Sequence, residues 1–356
     1  MMRTGKRQEN EFLKWSPPKD LMKATKNGYR SMNPCPVFSE SKEELYLFFI
    51  CIKDHISEGS LSPGKTRLCY VTTKDCGKTW GKLKDVTKTV GGIKLLDYKT
   101  FAVGPGHGIE VKRSWSGSDS TGSSRLLIPA YVKTMNQQSH TLVFYTDDEG
   151  KTWQAGRQLF QECGESQVAE VRVNDGTEVY LYCSARTWGK GAQQVPRLEA
   201  LSDDVGGSFS KLQSLSLRET PHGCQGSVLA LPALKQPPGD HGPSNTWLLY
   251  SHPTRGPEKQ GESEWARKDL GIFLRESLQD GGSRGHTPWS KPHIIHHGIS
   301  GYSDLAEGGR EGHFACLMEC GESAKLRVVF KEFDIGEIPK PAVTSLPGAT
   351  SPLTNG

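Results

Sequence analysis

The chain has 356 residues, of which 35% are hydrophobic, and this is enough apolar material for a large folded core. A mean hydropathy of −0.55 excludes a bundle of membrane-spanning helices. The 44 basic and 40 acidic side chains leave a formal net charge of +4, which is too weak to indicate a nucleic-acid-binding protein.

The predicted secondary structure consists of short strands separated by turns. Forty glycines and 21 prolines favour many turns, and a single helical turn is predicted at 20–26. The predicted strands are 45–52, 67–72, 100–103, 125–130, 141–145, 179–183, 226–230, 247–251, 270–274, 293–297 and 326–330. Many short strands with regular turn signals predict a β-sandwich, a barrel or a propeller.

An eight-residue pattern occurs three times in the chain. It is TKDCGKTW at 73–80, TDDEGKTW at 146–153 and, in a weaker form, SDDVGGSF at 202–209. The aspartate suits hydrogen bonds to backbone N–H groups, the glycine suits a positive φ, and the aromatic ring suits packing into the core. A repeated unit of about 45–60 residues predicts roughly six blades of a β-propeller in one domain. We expect that domain at 1–337 and a disordered tail at 338–356.

The nine cysteines and the N-terminus bear on the location of the protein. Nine is an odd number and no CxxC spacing occurs, so reduced thiols are expected rather than a disulfide framework or a zinc site. The first twelve residues contain no apolar stretch that would make a signal peptide. The longest apolar run, 45–52, is too short to span a bilayer. A cytosol-facing protein is therefore expected, and peripheral contact with a membrane is compatible with this composition.

The repeats resemble the Asp-boxes of sialidases, which are six-bladed β-propellers. Longer segments resemble the vertebrate exo-α-sialidase (neuraminidase) family in the same order along the chain: 28–36 (GYRSMNPCP), 100–108 (TFAVGPGHG), 166–171 (SQVAEV), 221–228 (PHGCQGSV), 249–254 (LYSHPT) and 301–305 (GYSDL). The segments HGIE at 107–110 and YCSART at 182–187 are most similar to the plasma-membrane ganglioside sialidase branch. The resemblance implies an all-β, six-bladed propeller with Asp-box repeats.

The resemblance also implies a substrate and a mode of binding. The substrates of the family are terminal α-linked sialic acids on gangliosides and glycoproteins. The resemblance implies that the reaction needs no metal or organic cofactor and that nucleic acid is not a partner. Planar guanidinium groups bind a carboxylate in bidentate fashion, and the family uses three arginines for this. Arg186 and Arg267 match two of them. Without the family context, each would be read as a surface arginine.

Two further residues match the catalytic pair of the family. Tyr302 matches the nucleophile of a retaining mechanism, and sialidases use a tyrosine where most retaining glycosidases use a carboxylate. A phenol with an ordinary pKa of about 10 needs a base, and Glu165 matches that partner. Taken alone, Tyr302 would be read as a core tyrosine and Glu165 as a solvated loop carboxylate.

Four weaker matches follow from the same resemblance. Tyr131 corresponds to a tyrosine that contacts the sugar, Glu58 to a contact of the N-acyl group, and Glu319 to a glutamate that orients the first arginine. His222 stands where the soluble cytosolic branch has glutamine, and as a substrate-binding residue it is expected to tune specificity. For each of them, a plain surface role is an equal alternative.

The sequence departs from the family near its N-terminus. The Tyr-Arg-Ile-Pro motif, with the first arginine, and the acid/base aspartate that follows it have no match before residue 28. We therefore expect an N-terminally shortened sialidase with an incomplete first blade. A lost carboxylate contact costs on the order of 2–5 kcal/mol in binding, and a lost acid/base about 10²–10⁴-fold in rate, so weak or absent activity is expected. The alternatives are a catalytically dead propeller that binds sialoglycans, or an interaction scaffold.

Overall fold

The computed structural model describes residues 2–7, 13–57, 60–112, 124–173, 178–188, 195–212, 217–233, 246–256, 263, 266–280, 283–284, 287–321 and 326–341. Glu58 and residues 342–356, most of the predicted tail, lie outside this set. Ile338, at the start of that tail, is buried against an apolar cluster. None of the helical turns in the described ranges has the length or apolar composition needed to cross a lipid bilayer.

Strands account for nearly all of the regular structure in the described residues. In chain order they are β1 Gly5–Arg7, β2 Leu13–Trp15, β3 Tyr29–Ser39, β4 Glu44–Lys53, β5 Thr66–Thr73, β6 Lys84–Asp85, β7 Thr100–Val103, β8 Ile109–Lys112, β9 Ser124–Lys133, β10 Ser139–Thr146, β11 Gln154–Ala155, β12 Ser166–Val173, β13 Glu178–Ala185, β14 Leu198–Ser202, β15 Ser210–Lys211, β16 Ser227–Pro232, β17 Thr246–Arg255, β18 Lys268–Arg275, β19 Gln279–Asp280, β20 Ser283–Arg284, β21 His293–Glu307, β22 His313–Gly321 and β23 Arg327–Asp334. Single 3-10 turns occur at Met22–Ala24, Leu95–Asp97 and Ile335–Glu337.

Four larger antiparallel sheets organise these strands. Their orders are β3-β4-β5-β6, then β7-β9-β10-β11 with β8 also paired to β9, then β12-β13-β14-β15, and finally β16-β17-β18-β21-β22-β23. Neighbours along the chain are mostly neighbours in a sheet, as expected for hairpin-connected blades. The protein is therefore all-β, and its successive sheets are arranged like the blades of a propeller.

Apolar clusters join each sheet to the next. One cluster holds Phe48 and Ile128 between the first and second sheets, and another holds Leu127 and Leu181 between the second and third. Two more clusters join the third sheet to the fourth and fill the fourth sheet itself. A middle strand that is covered on both faces, such as β13, is rich in apolar residues, and each large apolar side chain that is fully buried stabilises the fold by about 1.5–3 kcal/mol.

The three repeated turns share one hydrogen-bond pattern. In the first turn the Thr73 hydroxyl donates to Asp75 at 2.8 Å, and the Asp75 carboxylate accepts from the Thr79 N–H at 2.8 Å. The same contacts recur around Asp148 and Asp204. The residue before each glycine also has a positive φ, at Cys76, Glu149 and Val205. The exchange of threonine for serine in the third copy leaves this pattern unchanged.

Strand β21 is longer than predicted. The expected strand ended at 297, but the observed one runs to Glu307 and pairs first with β18 and then with β22. Gly298, with a φ of 95°, and irregular register on both sides absorb the bend. One strand therefore connects two groups of strands that a loop would ordinarily separate.

A cleft separates the last strands from the first sheet. It has a volume of about 620 Å³ and lies between β3 and β4 on one side and β21, β22 and β23 on the other. Its walls include the apolar side chains of Leu45, Leu47, Leu317 and Val328. The β1–β2 hairpin lies beside β23, where the Trp15 ring meets the Phe330 ring at 5.1 Å.

Candidate active site

The strand ends of two sheets bring the predicted catalytic residues together. Glu165 immediately precedes β12 and Arg186 immediately follows β13, and their backbones continue the antiparallel pairing through an Arg186 N–H to Glu165 carbonyl bond of 2.8 Å. Tyr302 lies on β21, just after its bend. Residues that are 137 positions apart in the sequence thereby meet.

The contacts among these three side chains are short. The Tyr302 hydroxyl donates to Glu165 Oε1 at 2.5 Å, and Arg186 Nη1 donates to Glu165 Oε2 at 2.7 Å. Arg186 Nη1 also lies 3.4 Å from the Tyr302 oxygen, and Arg186 Nη2 donates to the His222 carbonyl at 2.8 Å. Glu165 and Arg186 are both buried, so these contacts are shielded from water.

Burial and charge set the protonation of the pair. Burial, followed by the negative charge of Glu165, raises the pKa of Tyr302 well above its ordinary value, although Arg186 opposes this. The resting phenol is therefore neutral and has a carboxylate ready to accept its proton directly. Burial works against the Arg186 charge, but Glu165 outweighs it and raises the pKa of Arg186, so the guanidinium stays charged.

Arg267 approaches the same phenol from another element. It stands just before β18, with its guanidinium carbon 5.9 Å from the centre of the Tyr302 ring. The Nε groups of Arg267 and Arg186 are both buried without a hydrogen-bond partner. Buried donors are ordinarily paired, so two unpaired guanidinium N–H groups beside one phenol suit an anionic ligand.

A cavity of about 310 Å³ adjoins this group. It is lined by Asn33, Ile50, Ile52, Leu61, Thr100, Phe101, Ala102, Tyr131, Lys133, Ser139, Glu165, Arg186, Trp188 and Tyr302. The volume is at the lower end for ligand pockets and suits a small ligand with one charged group. Arg267, Glu319 and His222 do not line this cavity.

The remaining predicted residues take different positions. Tyr131 forms part of the cavity wall. Glu319 accepts the Tyr302 backbone N–H at 3.2 Å and lines the large cleft instead. His222 contributes its backbone carbonyl to Arg186. Glu58 lies outside the described residues.

Two features were missed by the sequence reasoning. The Trp188 ring lines the cavity at 5.5 Å from the Arg186 guanidinium carbon, and its position two residues after Arg186 could have pointed to it. Behind Arg186 lies a fully buried ion pair between Arg197 and Glu219. No local motif signals that pair.

A neutral tyrosine beside a glutamate and two arginines, in a propeller-like β fold, is the arrangement expected of a glycoside hydrolase of the sialidase type. The profile of the BNR repeat-like domain family matches residues 2–314. Sialidase-3 of Rattus norvegicus is 38% identical over 384 aligned residues, which cover 96% of this chain and 84% of that protein. Sialidase-2 of Cricetulus griseus is 36% identical over 320 residues, covering 86% of this chain and 76% of that protein. The chain belongs to the sialidase family, and the resemblance inferred from its motifs is confirmed.

Solved structures agree with the fold. The Hadza microbial sialidase Hz136 superposes with a TM-score of 0.65 at 20% identity, over 87% of this chain and 54% of that chain. The intramolecular trans-sialidase of Ruminococcus gnavus gives 0.65 at 17% identity, over 92% of this chain and 82% of that chain. The chain thus spans about half the length of the solved microbial sialidase and most of the trans-sialidase.

Proposed function

We propose that the protein is a retaining exo-α-sialidase that hydrolyses terminal α-linked sialic acids from gangliosides and glycoproteins. The single observation that supports this best is the 2.5 Å contact of the Tyr302 hydroxyl with Glu165, beside two arginines that have unpaired buried donors. Family membership supports the same reaction class.

In the proposed reaction, Arg186 and Arg267 bind the carboxylate of the sugar. Glu165 takes the phenolic proton while the Tyr302 oxygen forms a bond to the anomeric carbon, and the bond to the aglycone oxygen breaks. The aglycone oxygen receives a proton from an acid or from solvent. Water then forms the new bond to the anomeric carbon and gives a proton to the conjugate base of that acid or to solvent, while the bond to Tyr302 breaks and Glu165 returns its proton to the phenolic oxygen. Two successive displacements at the anomeric carbon retain its configuration.

The electrostatics favour a tyrosine in this role. A carboxylate nucleophile would be repelled by the sugar carboxylate, whereas a neutral phenol is not. Since burial and Glu165 raise the pKa of Tyr302, a free phenolate is disfavoured in the resting site. We therefore propose that proton transfer to Glu165 accompanies the attack on the sugar and does not precede it.

The finer assignments of the remaining residues belong to the same proposal. Tyr131, His222 and Glu58 contact the sugar, and Glu319 orients an arginine. The substrates are sialylated glycolipids and glycoproteins, and the protein contacts membranes peripherally. This part is supported by the motif resemblance, and for Tyr131 also by its place in the cavity wall.

We also propose a six-bladed propeller whose three repeated turns are Asp-boxes. The six-stranded sheet then counts as two blades, divided within β21. With the other three large sheets it makes five blades, and the β1–β2 hairpin is the described part of the remaining one. The shared hydrogen-bond pattern of the turns supports the Asp-box assignment.

We propose, further, that the polypeptide 1–356 tested alone is weakly active. No segment of this sequence matches the family motif that carries the first arginine and the acid/base aspartate. An isolated 1–356 chain that released a fluorogenic sialoside as fast as a Sialidase-3 relative would contradict this.

The nucleophile is tested by trapping. The protein is incubated with 2,3-difluorosialic acid, the compound in the solved covalent intermediate of Trypanosoma rangeli sialidase. We expect a covalent adduct that peptide mass spectrometry assigns to Tyr302, and none with Tyr302→Phe. An adduct on another residue would overturn the role of Tyr302. Binding of sialic acid without an adduct would favour the dead sialoglycan-binding propeller, and no binding would favour a scaffold.

A further inference from the structure

Glu219 is a buried carboxylate that the proposed reaction does not use. Its side chain has no exposure to solvent, and Glu219 Oε1 accepts from Arg197 Nη1 at 2.7 Å. It also accepts from two backbone groups, the Thr187 N–H and the Cys224 N–H, both at 3.2 Å. His252 Nε2 lies 3.0 Å from its second oxygen.

The two backbone groups belong to the segments that hold Arg186. Thr187 directly follows Arg186, and Cys224 lies two residues after His222, whose carbonyl accepts Arg186 Nη2. The segments approach so closely that a Cβ on Gly223 would lie 2.2 Å from the Thr187 carbonyl oxygen. Glu219 therefore joins, through its two oxygens, the segment that carries the guanidinium and the segment that anchors it.

The carboxylate stays ionised at functional pH. Burial acts to raise the pKa of Glu219, but the charge of Arg197 and the His252 contact outweigh it and hold the pKa at about 2. Burial lowers the pKa of His252, so the charged partner is Arg197. An ionised carboxylate has only acceptor sites, which suits the three donors that surround this side chain, one from Arg197 and two from the backbone.

We propose that Glu219 is a positioning residue for Arg186, and through it for the carboxylate of the bound sialic acid. This rests on the proposed function, because Arg186 is taken there to bind that carboxylate. A glutamine at 219 keeps the shape but replaces one acceptor with an NH₂ group. At least one of the backbone contacts is then lost, and the Arg186 segment loosens.

The chain offers a matched control in Glu199. Its carboxylate is as buried, and it accepts from Arg275 Nη1 at 2.8 Å, from the Tyr182 hydroxyl at 2.6 Å and from Trp289 Nε1 at 3.1 Å. All three donors are side chains, and none of them belongs to the Arg186–Thr187 segment or to the segment 222–224. Glu199→Gln thus disturbs a buried ion pair of the same chemistry without touching the two segments.

The test compares Glu219→Gln with Glu199→Gln in the 1–356 chain. Both variants are expected to lower the thermal midpoint. The inhibitor DANA, which is bound in a solved structure of Trypanosoma rangeli sialidase, serves as the ligand. Glu219→Gln alone is expected to weaken its binding roughly tenfold, because a small displacement of the Arg186 guanidinium weakens its contacts with a carboxylate. Where hydrolysis is measurable, KM rises while kcat changes little, since the sugar carboxylate is charged before and during the reaction.

Hydrogen exchange gives a readout that needs no sialoside. Amide exchange at Thr187 and Cys224 should accelerate in Glu219→Gln and stay unchanged in Glu199→Gln. If both variants alter binding and exchange alike, or if these two amides are unaffected, the positioning role is wrong. If the unmodified chain binds no DANA, the proposed function fails. Amide hydrogen exchange at Thr187 and Cys224 would then still show whether Glu219 holds the two segments together. Should Glu219→Gln not fold, Glu219→Asp, which keeps the charge but shortens the reach of the carboxylate towards the Thr187 and Cys224 N–H groups, serves the same comparison.

Discussion

The two sides of Tyr302 differ in how completely they are packed. On one side, the sheet β12–β15 is joined to both neighbouring sheets by apolar clusters, and it supplies Glu165 and Arg186 with short, buried contacts. On the other side, β21–β23 faces β3 and β4 across the 620 Å³ cleft, where Glu319 makes one contact of 3.2 Å to the Tyr302 N–H. The proposed proton transfer takes place on the packed side, where low exposure strengthens every charge contact.

The same difference appears in apolar side chains of equivalent placement. Leu181 in β13 and Leu317 in β22 both lie in inner strands of their sheets, yet Leu181 is 0% exposed and Leu317 is 47% exposed. An inner strand is buried only where a neighbouring sheet covers its face. The position of a strand within its sheet therefore does not determine whether its side chains are buried in this fold.

The largest effect is expected from the two carboxylates that contact Tyr302. Glu165→Gln should slow labelling by 2,3-difluorosialic acid by about 10²–10⁴-fold, because glutamine cannot take the phenolic proton. Glu319→Gln keeps an oxygen that can accept the Tyr302 N–H. Its labelling rate should therefore fall by no more than the net energy of one hydrogen bond allows, roughly tenfold. Labelling rates by intact mass spectrometry check this. An equal fall in labelling rate in the two variants would mean that Glu165, on the packed side, does not act as the base for Tyr302.

A smaller effect is expected on stability. Leu181→Ala should lower the free energy of unfolding by about 2–5 kcal/mol, because it opens a cavity between two packed sheets. Leu317→Ala, on the cleft, should cost less than about 1 kcal/mol. Urea unfolding with both variants measures the difference. A cost at Leu317 as large as that at Leu181 would indicate that the cleft is filled in solution.

The smallest effect concerns pH and the second repeated turn, which contacts the first sheet. The Tyr46 hydroxyl of the first sheet donates to the Glu149 carbonyl in this turn at 3.0 Å. Burial acts to raise the pKa of Asp148, but hydrogen bonds from the Thr152 N–H and hydroxyl outweigh it and hold the pKa at about 2. Its ordinary value is about 3.9, so the stabilisation is complete above that pH and disappears as the pH falls towards 2.

Asp148→Asn should therefore lower the thermal midpoint at pH 6, and the difference from the unmodified chain should shrink between pH 4 and pH 2. The exposed Asp203 of the third turn lies outside the shared hydrogen-bond pattern, and Asp203→Asn is the matched control for the loss of a surface carboxylate. A pH-independent difference for Asp148→Asn would exclude the carboxylate as its cause.

The sequence predicted the strands with long apolar runs better than those with mixed composition. Strands β4, β7, β9, β10 and β17 appear within a few residues of the predicted ranges. Strands β3, β12, β14 and β22 were not predicted as strands. β3 contains two prolines and β12 and β22 interleave polar residues with apolar ones, so neither a clean alternation nor a continuous run marks them.

The residues of the candidate site were predicted from a family resemblance, and their geometry was not predicted. Tyr302, Glu165, Arg186 and Arg267 came from resemblance to a family, because residues this far apart in sequence meet only through the arrangement of the sheets. The part of His222 that holds Arg186 is its backbone carbonyl, which every residue type carries. The Glu219 contacts likewise depend on two backbone N–H groups, and no pattern of side chains in the sequence predicts them.

The continuity of strand β21 limits where the chain can be cut or extended in an engineered variant. Its fifteen residues run without interruption past the bend at Gly298 and on through Tyr302. New termini or a fused domain introduced near 298 would cut the strand that carries the Tyr302 hydroxyl, whereas a cut in the turn at 308–312, between β21 and β22, would leave that strand intact. Circular permutants opened at that turn should keep the phenol in register, and those opened at the bend should not.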